Sequence, residues 1–530
     1  MGCYQDAAAP QGTTVTTQPA AERIDHVSKE SAAANPPQKI AGIFGPVEKS
    51  VVYPAPDDHS EGVLKDETWD AYSIGGQRIG YACNRIAEVT ENGKSLIRTR
   101  SQSLLAMRRL GQSITQKMAI ASWETAAGDL VRFETSMTSG AGEVRTLGSV
   151  SDGRLTIETS TLGKTQKQSL PWDSACGGFF ATEQSLRKQP LQPGEKRTIN
   201  ALLPLFNVPG ETKLAALDYE TVKLPSGERK LLKVNSTIQI GKQAIESVLW
   251  IDEQGETLKS LVLGLEQESY RTTRADALLN VGGGELDLML SSVVKLKQPL
   301  ANSLHTRRVV YHAKMKSGKI AGAFANCLSQ QVEPLGEREA KITVIAVRPN
   351  DAAGPTAEDS KPTQADRAPN NMIQSDDPAI VALAAQVAPD EPEPWRLACQ
   401  LEKFVDETIQ KKNFSQAFAT AAEVAASREG DCTEHAVLLA ALCRARKIPA
   451  RVAFGLVYYP PQQGFAYHMW NEVWTGDRWV ALDGTLGVGG IGADHIKLAD
   501  SDLKDGSALA TMLPVVQLMG QLELEVVQAE

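Results

Sequence analysis

The chain has 530 residues, with 55 Lys+Arg against 64 Asp+Glu and a formal charge of −9, long enough for about two to four domains at roughly 150 residues each. Its 42% hydrophobic and 22% charged residues match a globular chain, and no apolar run reaches the roughly 18 residues of a spanning helix, which excludes a polytopic membrane protein. Basic residues cluster no further than pairs such as Arg108-Arg109 and Arg307-Arg308, so nothing here neutralises a phosphate backbone and nucleic acid is excluded as a partner.

Residues 1–60 run as Ala, Pro, Gln, Thr and charged side chains without periodicity and read as a disordered tail. Gly2-Cys3 resembles the end of a bacterial lipoprotein signal, in which the cysteine is lipidated and a flexible tether follows; the apolar region that comes before such a cysteine is not in the sequence. The expectation is a cell-envelope or extracytoplasmic location with a membrane tether through Cys3, and a cytoplasmic location is the alternative. The seven cysteines (3, 83, 176, 327, 399, 432, 443) are odd in number and lack a C-x-x-C pair, so neither a disulfide framework nor a zinc ribbon is expected.

From 61 to 300 short alternating runs between turns predict an antiparallel β-rich domain, with Asn92-Gly93 as the clearest hairpin and Pro225-Ser226-Gly227-Glu228 as another turn. Trp123-x4-Gly128-x3-Arg132 and Trp250-x4-Gly255-x3-Lys259 share one spacing, which points to two copies of one hairpin. Residues 301–350 carry further strand-like runs, Arg308–His312 and Lys341–Val347, leading into the next region. A linker or long loop is expected over 351–375, where Asp, Ala, Pro, Thr and Asn dominate.

The region 376–500 places helical patterns first, at Trp395–Lys412, Ala417–Ser427 and from Cys432 to about Lys447. Strand-like Arg451–Tyr459, Tyr467–Trp474 and Arg478–Asp483 follow. This order predicts an α+β domain. The last segment, 501–530, reads as a helix at Ala508–Met519 and a strand at Leu522–Val527.

Arg428-Glu-Gly-Asp-Cys-Thr-Glu-His-Ala-Val-Leu-Leu-Ala-Ala-Leu442 puts a turn glycine and a capping Asp431 directly before Cys432, the first residue of an apolar helix. A thiol at that position feels the positive end of the helix dipole, which favours the nucleophilic thiolate, and free N–H groups of the same turn suit an oxyanion. A thiolate nucleophile needs a base that later protonates the leaving group, and His468 in Tyr467-His-Met-Trp-Asn-Glu-Val-Trp474 is the best candidate. The hairpin Thr475-Gly-Asp-Arg478 returns the chain so that Asp483 falls beside His468, where a carboxylate fixes the imidazole tautomer.

Gly430-Asp-Cys-Thr-Glu-His-Ala436, Ile448-Pro-Ala-Arg-Val452, His468-Met-Trp-Asn-Glu-Val473 and Trp479-Val-Ala-Leu-Asp483-Gly-Thr485 resemble the successive motifs of the transglutaminase-like domain, in order and spacing. The resemblance covers 376–500, and it extends to bacterial multidomain members with β-rich segments ahead of the catalytic domain. It implies a papain-like α+β fold with Cys432 as nucleophile, His468 as general base and acid, and Asp483 as orienting carboxylate. The sequence departs from the commonest pattern at Met469, often Ala in the family, and at Gly484, often Pro.

The expected function is therefore cysteine-dependent acyl transfer through a thioester on a peptide or carboxamide substrate, of amidase/protease or transglutaminase type, with a protein or peptide as partner. The alternative is an envelope binding or scaffolding protein whose β-rich half is the working part and whose catalytic domain is vestigial. Trp470, two residues from His468, is expected to line the substrate groove, whereas Trp474 and Trp479 read as a cross-strand pair. His435 reads as structural or as a support to the residues at the thiol, His495 as satisfying a local hydrogen bond, Cys443 as core, and Gly487–Gly492 as a flexible loop near the cleft. No cofactor is expected: the histidines form no ligand motif, and Asp500–Asp505 lacks the glycine and final glutamate of a calcium loop.

Overall fold

The computed structural model describes residues 62–530 apart from 110–111, 140–141, 162–163, 205, 241–242, 280, 282–286, 288–291, 352–359, 412–418, 505–514 and 516–517. The tail 1–60 with Cys3, and most of the helix expected at 508–519, lie outside the described residues. No helix among the described residues is long and apolar enough to cross a membrane.

Asn92 and Gly93 both take left-handed φ, 50° and 75°, the requirement of a two-residue hairpin turn whose twist matches its strands. They join strands Gln77–Glu91 and Lys94–Arg109 with Glu91 opposite Lys94. Repetition of this up-and-down step builds a 14-stranded antiparallel sheet among the described residues. One run goes from strand Val63–Ile74 out to the edge strand Lys164–Pro171, and a second from Gln267–Thr272 out to the edge strand Lys196–Leu203. The runs meet where Val63–Ile74 pairs with Gln267–Thr272, with Ala71 opposite Tyr270.

The shared Trp spacing marks equivalent hairpins, one in each run. Trp123 lies opposite Arg132 and Trp250 opposite Lys259, and each register shifts just after the tryptophan. The Arg132 guanidinium sits 3.5 Å from the Trp123 ring centroid and the Lys259 amine 5.3 Å from that of Trp250. A cation over an indole face explains why the spacing from tryptophan to basic residue recurs.

Two smaller sheets follow. Strands Gln330–Pro334, Glu339–Ile345, Arg308–Met315 and Leu522–Ala529 form one, so the C-terminal strand is sewn to a segment about 210 residues earlier in the chain by antiparallel pairing that places Leu524 opposite Ala313. The other has five strands: Val294–Lys295, Gly464–Trp474, Ala450–Tyr459 and His495–Ser501 in that order, with Trp479–Leu482 paired to the Asn471–Trp474 end of Gly464–Trp474 and Val294–Lys295 to its start.

The even-numbered positions of Ala450–Tyr459 share one face by strand alternation. Ala450, Val452 and Phe454 pack with Met469 and Val473 against helices Pro378–Gln386, Pro394–Thr408, Ala421–Ser427 and Cys432–Ala445; Leu456 and Tyr458 pack instead against Tyr311 and Ile342 of the four-stranded sheet. The irregular run 360–377 buries Met372 and Ile373 in the same helical core. The molecule is thus a large antiparallel β region followed by an α+β region. His468, Trp470 and Glu472 project from the other face of Gly464–Trp474, and that face carries the site.

Candidate active site

The helix Cys432–Ala445 starts where the sequence places it. Asp431 is its N-cap, accepting from the Thr433 N–H at 2.8 Å, while Glu434 reaches back to accept from the Asp431 N–H at 2.9 Å. This reciprocal box fixes the entry angle of the chain and the position of Cys432. Gly430 has φ 155°, and a Cβ there would stand 2.3 Å from Glu434 Cβ, so both backbone and space demand glycine. Glu434 is fully buried; burial, reinforced by the Asp431 charge, pushes its carboxyl up. His435 is buried and donates from Nδ1 to the Asp431 carbonyl at 2.5 Å, which makes it a brace of the first turn, as its structural reading requires. Cys432 itself is half-buried.

The hairpin through Thr475–Arg478 brings Asp483 back to His468. His468 Nε2 donates to Asp483 Oδ2 at 2.7 Å, with the histidine side chain 11% exposed and the aspartate 1%. Cys432 is within hydrogen-bonding reach of the same imidazole, so the three expected residues meet. Burial pulls the His468 imidazole down, but the Asp483 carboxylate, with Cys432 adding its charge and hydrogen bond, holds it well above its ordinary value. Asp483 is held well below the usual carboxylate range, because the two imidazoles facing it outweigh its burial. Its other oxygen accepts from the Thr485 N–H at 2.9 Å and hydroxyl at 2.7 Å.

Two residues that sequence reasoning did not assign to the site support it. His495 Nε2 lies 3.3 Å from the same Asp483 Oδ2, and its Nδ1 lies 2.8 Å from Asp494 Oδ1. Glu402, on helix Pro394–Thr408, accepts from the Asp483 N–H at 3.0 Å and the Gly489 N–H at 2.7 Å. Burial, helped by the Asp483 charge and opposed by these N–H groups, pushes Glu402 up to about 7.

The loop Gly487–Gly492 is therefore pinned. Gly490, Ile491 and Gly492 are buried, and a Cβ on Gly490 or Gly492 would press on Arg348 or the Ser303 carbonyl. This corrects the expectation of a flexible loop: closeness to neighbouring elements is what the glycines serve.

Trp470 is a second correction. It is 2% exposed and packs with Ala453 and Ile491, its ring edge-on to His495 at 5.2 Å and parallel to His468 at 6.4 Å. A side chain so enclosed backs the imidazoles and offers a groove no surface. Gly455 makes the room, since a Cβ there would lie 2.6 Å from Trp470 Cη2. Trp474 and Trp479 form a cross-strand pair at 5.5 Å. Cys443 is fully buried in the helical core.

His468, Asp483 and His495 also lie close enough together to be considered as metal ligands. Two ligands about 2.0–2.1 Å from one tetrahedral ion stand roughly 3.3 Å apart, whereas His468 Nε2 and Asp483 Oδ2 are 2.7 Å apart. That separation is a hydrogen bond, and the cluster shares protons.

Residues 381–484 match the transglutaminase-like superfamily, a span containing Cys432, His468 and Asp483. No curated protein matches this chain. Among solved structures, a β-barrel-like protein of a domain of unknown function from Brucella abortus is 9% identical, over 40% of this chain and 97% of that one, with a TM-score of 0.30. A proposed cysteine protease from Cytophaga hutchinsonii is 14% identical, over 43% and 89%, with a TM-score of 0.28. A proposed protease from Parabacteroides distasonis is 9% identical, over 68% and 64%, with a TM-score of 0.17. Likenesses this faint carry no argument about activity.

Proposed function

From the premise that this chain carries a transglutaminase-like domain at 381–484, we propose that it catalyses acyl transfer by Cys432, His468 and Asp483 on a peptide or carboxamide substrate. The observation that carries this reading is the His468 Nε2–H bond to Asp483 at 2.7 Å, which commits one imidazole nitrogen to the carboxylate and leaves Nδ1 for the thiol.

Cys432 Sγ, having given its proton to His468, attacks the carbonyl carbon, and the carbonyl electron pair moves to oxygen. The Cys432 backbone N–H, at the start of helix Cys432–Ala445, is the donor proposed for that oxyanion. Collapse of the tetrahedral intermediate breaks the C–N bond while the His468 imidazolium protonates the leaving amine, giving a thioester. Water then attacks the thioester, with His468 taking its proton, and releases the acid and the thiol. A primary amine in place of water yields a new amide. Hydrolysis is the favoured outcome, since water is always available and the signature holds no lysine-directed feature.

The test is to incubate the protein with a library of peptide carboxamides, with and without a primary amine, and to look by mass spectrometry for an acyl adduct on Cys432. The reading expects a hydroxylamine-sensitive adduct, absent in Cys432→Ala. Product formation that survives Cys432→Ala contradicts it, and so does a full screen with no adduct.

A further inference from the structure

We propose that His495 is a permanently protonated positioning residue, an imidazolium clamped between the Asp494 and Asp483 carboxylates that orients Asp483 for His468 and offsets part of its charge. The protonation rests on the placement of two carboxylates that their surroundings keep ionised. Both ring nitrogens face carboxylate oxygens, Nδ1 at 2.8 Å from Asp494 Oδ1 and Nε2 at 3.3 Å from Asp483 Oδ2. An ionised carboxylate accepts and does not donate, so both nitrogens carry hydrogen, a state that belongs to the cation.

The fold makes that cation hard to lose. His495 opens strand His495–Ser501, opposite Val457, while His468 lies opposite Gly455 of the same neighbouring strand. The two imidazoles thus converge on Asp483 from either side of strand Ala450–Tyr459, with ring centroids 6.0 Å apart. His495 is 2% exposed, under the Trp470 ring. The polar groups around it are Asp494 and Asp483, then His468; Ser303 hydrogen-bonds to Asp494, Tyr311 approaches Asp494 from strand Arg308–Met315, and Glu402 holds the Asp483 backbone. Against burial, which opposes the charge, the two carboxylates hold His495 above its ordinary value.

The consequence for chemistry rests on the acyl-transfer reading. Asp483 Oδ2 is shared by two imidazoles, so His468 faces a carboxylate that a second N–H also engages. A base that holds its proton too tightly is a poor donor of that proton to the leaving group. Without the His495 charge, Asp483 grips the His468 proton harder, and the local field becomes less favourable to a thiolate on Cys432. Both limbs of the pH profile of Cys432 reactivity then move to higher pH.

The experiment is the rate of Cys432 alkylation by iodoacetamide, followed by peptide mass spectrometry from pH 4.5 to 10, in the parent and in His495→Gln, which keeps an N–H for Asp483 and removes the charge. The expected result is an upward shift of both limbs by about one pH unit, so that labelling on the acid limb falls about tenfold. Limbs that stay in place in a variant with native circular dichroism overturn the proposal. If His495→Gln fails to fold, long-range 1H–15N spectra of the 15N-histidine-labelled parent decide: an imidazolium pattern for His495 from pH 5.5 to 8 supports the proposal, and a singly protonated ring overturns it. A parent in which Cys432 shows no enhanced labelling sinks the acyl-transfer reading, while the nitrogen spectrum still reads His495.

Discussion

The exposed cross-strand pairs of the β-rich front region and the groups around Cys432 hold their charges in opposite ways. In the front sheet, Lys167 and Glu158 face each other across neighbouring strands at 2.6 Å with side chains 67% and 38% exposed, and Arg145 and Glu134 do the same at 2.8 Å. Such pairs sit in water and add little to stability. Around Cys432 the charged groups are dry: Glu402, Glu434, Asp483 and His495 are all buried, and each satisfies named N–H or imidazole partners. Buried polar groups are costly whenever a partner is lost. One region can absorb surface mutation, whereas the other holds buried groups that depend on a few shared partners, Asp483 above all.

The contrast can be broken first at glycine. Gly430 and Gly93 both have positive φ, but a Cβ on Gly93 meets open space while one on Gly430 collides with Glu434. Gly430→Ala should lower unfolding free energy by about 2–4 kcal/mol and Gly93→Ala by about 1 kcal/mol, measured by urea denaturation. Equal costs would mean that the first turn of the Cys432 helix yields as easily as a surface hairpin.

A second handle is pH. Glu402 is pushed up to about 7 by burial, above the ~4.3 of an unfolded chain, so the folded state binds its proton more tightly. Its contribution is full below about pH 4 and lost as pH rises through 7. Between pH 5 and pH 8 the parent should lose on the order of 2 kcal/mol more than Glu402→Gln, read from denaturation midpoints. Parallel pH profiles would show that the carboxyl is not desolvated.

The smallest effect belongs to the front sheet. Lys167→Ala should change stability by no more than about 0.5 kcal/mol, a difference that shrinks further in salt. A cost several times larger would erase the distinction between the two regions.

Local chemistry is what the sequence made legible. Gly430-Asp431 announces the helix at Cys432, because backbone freedom and a capping carboxylate are properties of neighbouring residues. Asn92-Gly93 announces its hairpin for the same reason, and the turn at Thr475–Arg478 brings His468 and Asp483 together through a short strand pair. The helix Pro378–Gln386 carried a readable signal in its Asp377 cap and N-terminal proline, but its near-uniform apolar run has no amphipathic period.

Glu402 and His495 had no such local sign. Glu402 reads as one polar position of an amphipathic helix until a loop some 80 residues later lays two backbone N–H groups on it. His495 reaches Asp483 only because strand His495–Ser501 pairs with Ala450–Tyr459, and the C-terminal strand pairs with Arg308–Met315 across a still longer separation. Pairing at that distance is set by tertiary packing, to which local periodicity is blind.

The most direct test of the central claim is the rate of iodoacetamide labelling at each cysteine against pH, in the parent and in His468→Ala. Among the thiols of the described residues, Cys432 alone should label quickly near pH 6 and should lose that advantage in the variant. Labelling of Cys432 no faster than that of half-buried Cys399, or unchanged by His468→Ala, would mean that no thiolate–imidazolium pair forms there and that the acyl-transfer account is wrong.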